Sequence, residues 1–207
     1  MAPLRARGVR VVVADGGSSD ASMTIAQAGA DVVVSAPRGR ASQMNAGAAA
    51  CAAQAYLFLH ADTRLPAQAD TLVLQALESG ARWGRFDVHI GSNRPSLRMV
   101  QAMMNWRSRV TGIATGDQAM FVQATLWAEC GGFADLPLME DIELSKRLKR
   151  VAPPACLRAQ VVTSARRWLQ HGTWRTIGLM WRLRLAYFCG ADPQVLAVRY
   201  GYRPRTR

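Results

Sequence analysis

Lysine is almost absent from this 207-residue chain, in which only Lys146 and Lys149 occur among 26 basic residues. The four cysteines lie far apart and form no Cys-x-x-Cys pair. We therefore expect neither a zinc site nor a disulfide framework, and a reducing, cytoplasmic setting fits. No run of about 18 apolar residues is present, so no bilayer-spanning segment is expected. With 50% hydrophobic residues, the chain can form one domain with a full core.

Acidic residues are nearly missing from the last quarter of the chain. Residues 151–207 contain ten arginines and one acid, Asp192, and this +9 is most of the net charge of +12. A basic extension on a near-neutral body indicates an anionic partner such as a membrane surface, a nucleic acid or a phosphorylated substrate. Since no recognised DNA- or RNA-binding motif is present, we expect no nucleic-acid partner.

Aromatic residues and arginines are mixed between Trp174 and Phe188. This mixture is typical of an amphipathic helix at a membrane interface. A helix that packs on the domain with its arginines outside would show the same pattern. Earlier in the chain, an apolar stripe of Leu97, Val100, Met103 and Met104 predicts a helix over residues 95–110 that faces the core.

The segment 9–20 organises the rest of the sequence. The β-branched residues 11–13 predict a strand, Val9–Ala14, that is buried on both faces. Asp15 ends the strand, two glycines permit a tight turn, and one of the next three polar residues can cap a helix over residues 20–29. Asp15 and several backbone N–H groups then lie at the carboxyl end of a strand, where open α/β sheets bind ligands and helix starts favour phosphate. An ordinary strand–turn–helix corner would look the same.

A second apolar strand, Asp31–Ser35, follows this helix. The strand–helix–strand order predicts a parallel sheet. The loop after it carries Arg38 and Arg40 on either side of a glycine, just before an alanine-rich helix over residues 42–54. Arginines beside a helix start are a suitable place for a diphosphate, although they could serve only the solubility of the loop.

A third strand, Tyr56–His60, is followed by Asp62. A carboxylate at a strand end beside a basic loop suits a divalent cation held on a phosphate. His60 is either a second metal ligand or a structural histidine. Further on, Glu140 and Asp141 open a predicted helix. Acids at this position stabilise the helix dipole, and an acid that accepts a proton from a substrate hydroxyl would look identical.

In this order, the motifs resemble the family 2 glycosyltransferases of the GT-A fold, in particular a small bacterial branch with a Leu-His-Ala-Asp-Thr motif. The likeness covers roughly residues 9–185. The matching stretches are Asp15–Ser18, Arg38–Gly47, Leu59–Thr63, Gly116–Phe121, Gly131–Phe133 and Met139–Glu143.

The resemblance implies an α/β fold, GT-A-like and Rossmann-like, with a mostly parallel sheet flanked by helices. Residues 1–160 would form the glycosyltransferase domain, and residues 161–207 a basic, amphipathic helical extension. It also implies transfer of a sugar, with inversion, from a nucleotide diphosphate sugar to an acceptor hydroxyl. A UDP-sugar is the expected donor, and an anionic membrane surface is a further expected partner.

The resemblance also assigns roles to residues. Asp62, with His60, would hold Mg²⁺ or Mn²⁺ on the diphosphate. Asp141, in the pair with Glu140, would be the general base that deprotonates the acceptor. The residues expected to bind the nucleotide are Asp15, Gly16, Ser18, Arg38, Arg40 and Asn45.

Two features depart from the family pattern. His60 replaces the first acid of the Asp-x-Asp motif, and the usual first strand with its Pro-x-x-Asn-Glu segment is not found before Val9. We therefore expect the strand Val9–Ala14 to have an open edge. Two other interpretations remain at this point: an inactive or truncated module that binds an anionic membrane through its basic C-terminus, and a nucleotidyltransferase that makes sugar nucleotides.

Overall fold

Strands and helices alternate over the first part of the chain, as the sequence predicts. The structure, a computed structural model, describes residues 1–202. The strands are β1 (Val12–Asp15), β2 (Val32–Ser35), β3 (Ala55–Leu57), β4 (Thr63–Arg64), β5 (Trp83–Ile90), β6 (Phe121–Gln123) and β7 (Ala155–Thr163). The helices are α1 (Ala2–Arg5), α2 (Ser22–Gly29), α3 (Arg40–Ala49), α4 (Ala69–Glu78), α5 (Pro95–Thr111), α6 (Ala124–Cys130), α7 (Glu140–Val151), α8 (Arg166–His171), α9 (Thr173–Phe188) and α10 (Pro193–Tyr200).

The strands form two sheets. β1 and β2 pair in parallel, with Val12 beside Val32. The other five strands follow the order β3-β6-β5-β7-β4, in which β5 and β7 are parallel and the other neighbours are antiparallel. The α/β class agrees with the prediction, whereas the mostly parallel sheet does not, since antiparallel pairs predominate in the larger sheet. Strands as short as β6 and β4 carry too little pattern to indicate their direction.

β1 is less buried than its sequence predicts. It begins at Val12 rather than Val9, and all four of its residues are half-buried. Within residues 1–202 its one strand neighbour is β2, and α3 covers it through Gly47, which lies close to Val12 and Ala14. The prediction of burial on both faces is therefore wrong, because all four residues are half-buried. Within residues 1–202, the other edge of β1 has no strand beside it, as expected.

The core lies between the larger sheet and the helices α3, α6 and α7. Phe58, Trp127 and Phe133 form an aromatic group whose ring centroids are 4.8–5.4 Å apart. Trp83 is fully buried on β5, and its Nε1 donates a hydrogen bond to the carbonyl of Ala152 at 2.7 Å. This cluster packs beneath the helix starts that carry the predicted site.

The C-terminal helices pack on the body of the protein. Leu183 of α9 and Leu196 of α10 are buried in one cluster with Met139 and Ile142, at the start of α7. The predicted boundary between residues 160 and 161 falls inside β7. The division into a domain and an extension stays a prediction.

The predicted helix 95–110 is confirmed as α5, with one correction. Leu97 and Val100 are buried and Met104 packs against them. Met103 is instead 47% exposed, because it lies on a second apolar face of the helix that no described segment covers.

We predict that Gly84→Ala is strongly destabilising. A Cβ at Gly84 would overlap the carbonyl oxygen of Ala155 and the ring of Phe121, which belong to the two neighbouring strands. The free energy of unfolding in urea should fall by about 3 kcal/mol. The control is Gly178→Ala on α9, where a Cβ meets nothing within 4 Å and should raise that free energy by up to about 1 kcal/mol. Equal urea midpoints for Gly84→Ala and the wild type would contradict the strand packing.

Candidate active site

The loop after β1 closes around the carboxylate of Asp15. Its Oδ2 accepts hydrogen bonds from the backbone N–H groups of Gly17 at 2.8 Å and Ser18 at 2.9 Å, and the Ser18 hydroxyl donates to Oδ1. These bonds, that of the hydroxyl first, lower the pKa of Asp15. Gly17 has φ of 87°, in the left-handed region that glycine occupies without strain. Asp15 therefore shapes the loop as a fixed negative charge.

An open pocket of about 310 Å³ lies beside this loop. It is lined by residues 16–20, Arg38 and Gln43. Three of the residues predicted to bind a nucleotide, Gly16, Ser18 and Arg38, are thus brought together. Gln43 was not predicted: its Nε2 donates to the carbonyl of Ala14 at 3.0 Å and joins α3 to β1. Gln43 lies in the matching stretch Arg38–Gly47, which was the available signal.

Glu140 and Asp141 begin α7, as predicted. Met139, directly before them, is buried and has φ of 69°, and Ala119, on the neighbouring loop, has φ of 45°. Left-handed backbone is uncommon in residues with a Cβ and persists only where the surrounding structure enforces it. The packing therefore fixes the direction in which the two acids leave the start of α7.

The Asp141 carboxylate is held by backbone donors. Its Oδ2 accepts from the N–H of Gly116 at 2.9 Å, and its Oδ1 accepts from the N–H of Ile142 at 2.7 Å. A cavity of about 10 Å³, enough for about one water molecule, adjoins Asp141, Gly116 and His60. Asp141 is half-buried, and it is one of the residues that line this small, mostly apolar space.

Glu140 is 1% exposed and forms an ion pair with Arg40, 100 residues earlier. Arg40 Nε lies 2.8 Å from Oε1, and Nη2 donates to Oε2 at 3.2 Å. Burial, followed by the charge of Asp141, raises the pKa of Glu140 to about 7, although Arg40 opposes the rise. Arg40, which was predicted to bind the nucleotide, thus contacts Glu140, which was predicted to be catalytic.

His60 lies in the loop after β3, which ends at Leu57, three residues earlier than expected. Its Nδ1 is 3.5 Å from Oδ1 of Asp117. Although burial acts in the opposite direction, Asp117 raises the pKa of His60. The Nε2 atom is buried without a hydrogen-bond partner, and the ring packs against Gly116. Asp117 was missed as a site residue, although it lies in the motif Gly116–Phe121.

A divalent cation fits this site in part. Residues 1–202 contain no group of three or more histidine, cysteine or acidic side chains arranged to hold a metal. A cation shared with a diphosphate needs only one or two protein oxygens, since phosphate and water supply the rest. Asp62 is exposed and suits that role. His60 stays a predicted ligand, although its Nδ1 faces Asp117 and Gly116 lies against its Nε2 edge.

Asn45 is occupied by the backbone of Phe133. Its Nδ2 donates to the Phe133 carbonyl at 2.8 Å, and its Oδ1 accepts from the Phe133 N–H at 2.9 Å. The side chain of Asn45 therefore fastens α3 to the loop before α7. Its role in nucleotide binding stays a prediction, with a structural role now observed.

Comparison with known proteins decides the family. The family model described as Glycosyl transferase family 2 matches residues 4–133, more than half of the chain. The chain belongs to this family.

Two solved structures resemble this family 2 chain. TarS 1–349 from S. aureus has 14% sequence identity and a TM-score of 0.56, and the match covers 75% of this chain and 51% of that one. The mannosyltransferase PcManGT from Pyrobaculum calidifontis, in complex with GDP-Man and Mn²⁺, has 20% identity and a TM-score of 0.56, with 94% and 56% covered. At these identities the likeness shows the fold, and the predicted GT-A-like class is confirmed. The chain spans about half the length of each. No curated protein matches it.

We predict that Asn45→Ala acts on stability and not on nucleotide binding. Removing the amide leaves the N–H and carbonyl of Phe133 without partners, which should lower the free energy of unfolding by about 2 kcal/mol. Urea unfolding measures this, with the exposed Asn93→Ala as control. Titration of the folded variant with UDP or GDP should give the wild-type affinity. A weakened affinity at unchanged stability would instead support the role in nucleotide binding.

Proposed function

We propose that this family 2 chain is an inverting glycosyltransferase that moves a sugar from a nucleotide diphosphate sugar to an acceptor hydroxyl. The observation that carries the proposal is the meeting of three groups around the start of α7: Asp141 on backbone donors, Glu140 paired with Arg40, and His60 paired with Asp117. Helix α3 lies between the start of α7 and the open pocket beside the β1 loop. Its Gln43 lines that pocket, and its Met44 lines the small cavity next to Asp141.

The nucleotide diphosphate occupies the pocket beside the β1 loop in this proposal. The backbone of Gly16 and the guanidinium of Arg38 supply donors for phosphate or ribose oxygens, while Ser18 donates to Asp15, which holds the loop in shape. A UDP-sugar is the first donor to test. The presence of GDP-Man in the PcManGT complex makes a GDP-sugar the second.

Asp141 is the proposed general base. Its half-buried carboxylate stays oriented by Gly116 and Ile142 while a lone pair can accept the proton of the acceptor hydroxyl. A single displacement at the sugar carbon needs one base and no covalent nucleophile, and it inverts the configuration. Glu140, bound to Arg40, positions this end of α7 instead of taking part in the proton transfer.

Mg²⁺ or Mn²⁺ at Asp62 would supply positive charge to the leaving diphosphate. The PcManGT structure contains Mn²⁺ and supports a test with that ion. His60, two residues from Asp62, adds either an imidazole ligand or a positive charge held by Asp117.

We predict that nucleotide binding depends on a divalent metal, and that variants of Asp62 and Asp141 separate metal binding from proton transfer. Calorimetric titration of UDP and of GDP should show binding that Mn²⁺ strengthens about tenfold or more, and Asp62→Ala should lose that increment. Asp141→Asn should bind the nucleotide as the wild type does but lose transfer by about 10²-fold or more, because it removes the base. Unchanged metal dependence in Asp62→Ala would contradict the metal assignment. Transfer at the wild-type rate by Asp141→Asn would exclude Asp141 as the base.

We also propose that the chain works at an anionic membrane surface. On α5 and α9, large apolar side chains are spaced at helical intervals along an exposed face. They are Met99, Met103, Trp106 and Val110 on α5, and Trp174, Trp181, Leu185 and Phe188 on α9. The exposed arginines Arg98 and Arg182 lie on the same helices. Within residues 1–202, none of the helices has both the length and the apolar character needed to cross a bilayer. Exposed apolar side chains next to arginines suit a position at the membrane interface. The cytoplasmic location stays a prediction.

We predict that removing two exposed tryptophans weakens membrane binding. Trp106→Ser with Trp181→Ser should lower the partition into vesicles of phosphatidylcholine and phosphatidylglycerol by about tenfold or more in a sedimentation assay. Higher salt should weaken wild-type binding, since the arginines attract anionic lipid. The control pair is Ile25→Ser with Leu74→Ser, exposed apolar residues of α2 and α4. If both pairs of substitutions lowered vesicle binding equally, or if the tryptophan pair did not lower it, α5 and α9 would not form the membrane-binding surface.

A further inference from the structure

The loop between α5 and β6, residues 112–120, holds the carboxylate of the proposed base. Its Gly116 N–H donates to Oδ2 of Asp141 at 2.9 Å. This loop is separate from α7, so the hydrogen bond keeps its geometry only while the loop keeps its place. Gly116 has no side chain that could anchor it, and a Cβ there would overlap the ring of His60. The position of this N–H group must therefore be determined by neighbouring residues.

The buried side chain of Gln118 closes the turn that contains Gly116. Its Oε1 accepts from the backbone N–H of Thr115 at 3.2 Å and from the Thr115 hydroxyl at 3.4 Å. The backbone N–H of Gln118 donates to the carbonyl of Thr115 at 2.8 Å. Gly116 lies between these two residues, in the single turn Gly116–Gln118. The amide of Gln118 therefore fixes the backbone from which the donor to Asp141 projects.

Asn105 on α5 anchors Gln118 to the larger sheet. Its Oδ1 accepts from Nε2 of Gln118 at 3.5 Å and from the N–H of Val88 at 2.8 Å, and its Nδ2 donates to the Val88 carbonyl at 3.0 Å. Val88 belongs to β5, the middle strand of that sheet. Buried amides are unfavourable unless they are paired, and a paired network fixes one arrangement of the groups that it joins. The turn with Gly116 is thus tied to the centre of the fold.

A second attachment joins the loop to α7. The fully buried Ser145 hydroxyl accepts from the N–H of Ala114 at 3.1 Å and donates to the Ala114 carbonyl at 3.3 Å. Ser145 lies about one helical turn after Asp141, so both side chains are on the same side of α7. The loop is therefore fastened to α7 at two points, Ala114 to Ser145 and Gly116 to Asp141.

We propose that Gln118 and Ser145 are positioning residues, which hold the Gly116 N–H against the carboxylate of Asp141 and so keep the proposed base in one orientation. This inference rests on the proposed function. Within residues 1–202, neither side chain lines the open pocket or the small cavity, so both act through Gly116. A general base must point a lone pair at the acceptor hydroxyl, and a displacement of about 1 Å can reduce the rate about 10²-fold.

The first test is amide hydrogen exchange, measured by NMR on the full chain in Gln118→Met and in Ser145→Ala. Each substitution removes the hydrogen bonds of one side chain without adding much volume. Exchange at Gly116 should become about tenfold faster or more relative to exchange at Leu148, which lies buried in α7. Ser145→Ala is the milder change and keeps the test valid if Gln118→Met does not fold.

The control is Thr176→Val, which removes a buried hydroxyl of α9 that donates to the Gly172 carbonyl. It should leave the ratio of exchange at Gly116 and Leu148 at the wild-type value. If Gln118→Met and Ser145→Ala accelerate both amides equally, they lower global stability alone, and the proposal is overturned. A change of the ratio in the control as large as in the two variants would overturn it as well.

The second test is the release of UDP from UDP-glucose and of GDP from GDP-mannose, with water as the acceptor. Gln118→Met and Ser145→Ala should each lower kcat about tenfold or more and leave KM for the nucleotide sugar unchanged, since neither residue lines the pocket proposed for the nucleotide. Added to Asp141→Asn, they should lower kcat no further, because the base that they orient is gone.

These outcomes separate the positioning role from the proposed function. An equal further loss of kcat in the Asp141→Asn background would show that Gln118 and Ser145 act independently of Asp141, and would overturn the proposal. If the wild type releases neither nucleotide, the proposed function fails, and the exchange ratio at Gly116 alone decides whether the two side chains hold this loop at Asp141.

Discussion

The buried ion pair between Arg40 and Glu140 determines how the two halves of the candidate site meet. Arg40 begins α3, whose next turn lines the pocket proposed for the nucleotide, and Glu140 begins α7, which carries the proposed base one residue later. Glu140 is buried and Arg40 is half-buried, so the carboxylate would be unfavourable there without the arginine. The pair therefore fixes α3 against α7 at one point. The loop with Gly116 and Asp117 then joins through Asp141, and the His60 ring packs against that loop.

Much of the local structure could be predicted from the sequence, for physical reasons that particular elements show. The apolar spacing on α5 and the acids that open α7 act within a few residues, and both helices begin where the pattern indicated. The strand direction in the larger sheet could not be predicted, because β6 has three residues and its partners β3 and β5 come from distant parts of the chain. The burial of β1 was overestimated for a related reason: a valine run indicates a tendency to be buried and says nothing about which neighbours are present.

The candidate site was predicted residue by residue, whereas its contacts were not. The resemblance indicated Asp15, Arg40, Asp62 and Asp141, but the partner of each depends on packing across up to 100 residues. Asn45 shows the difference most clearly. As part of a motif it was assigned to the nucleotide, and in the fold its amide holds the Phe133 backbone.

The left-handed backbone at Met139 connects the C-terminal helices to the start of α7. A methionine in this conformation costs on the order of 1–3 kcal/mol, and that cost is met by the packing of its side chain with Leu183 of α9 and Leu196 of α10. α9 and α10 thus restrain Met139, the residue directly before Glu140 and Asp141. The C-terminal helices therefore support the start of α7, which carries the proposed base, in addition to the proposed role of α9 at a membrane surface.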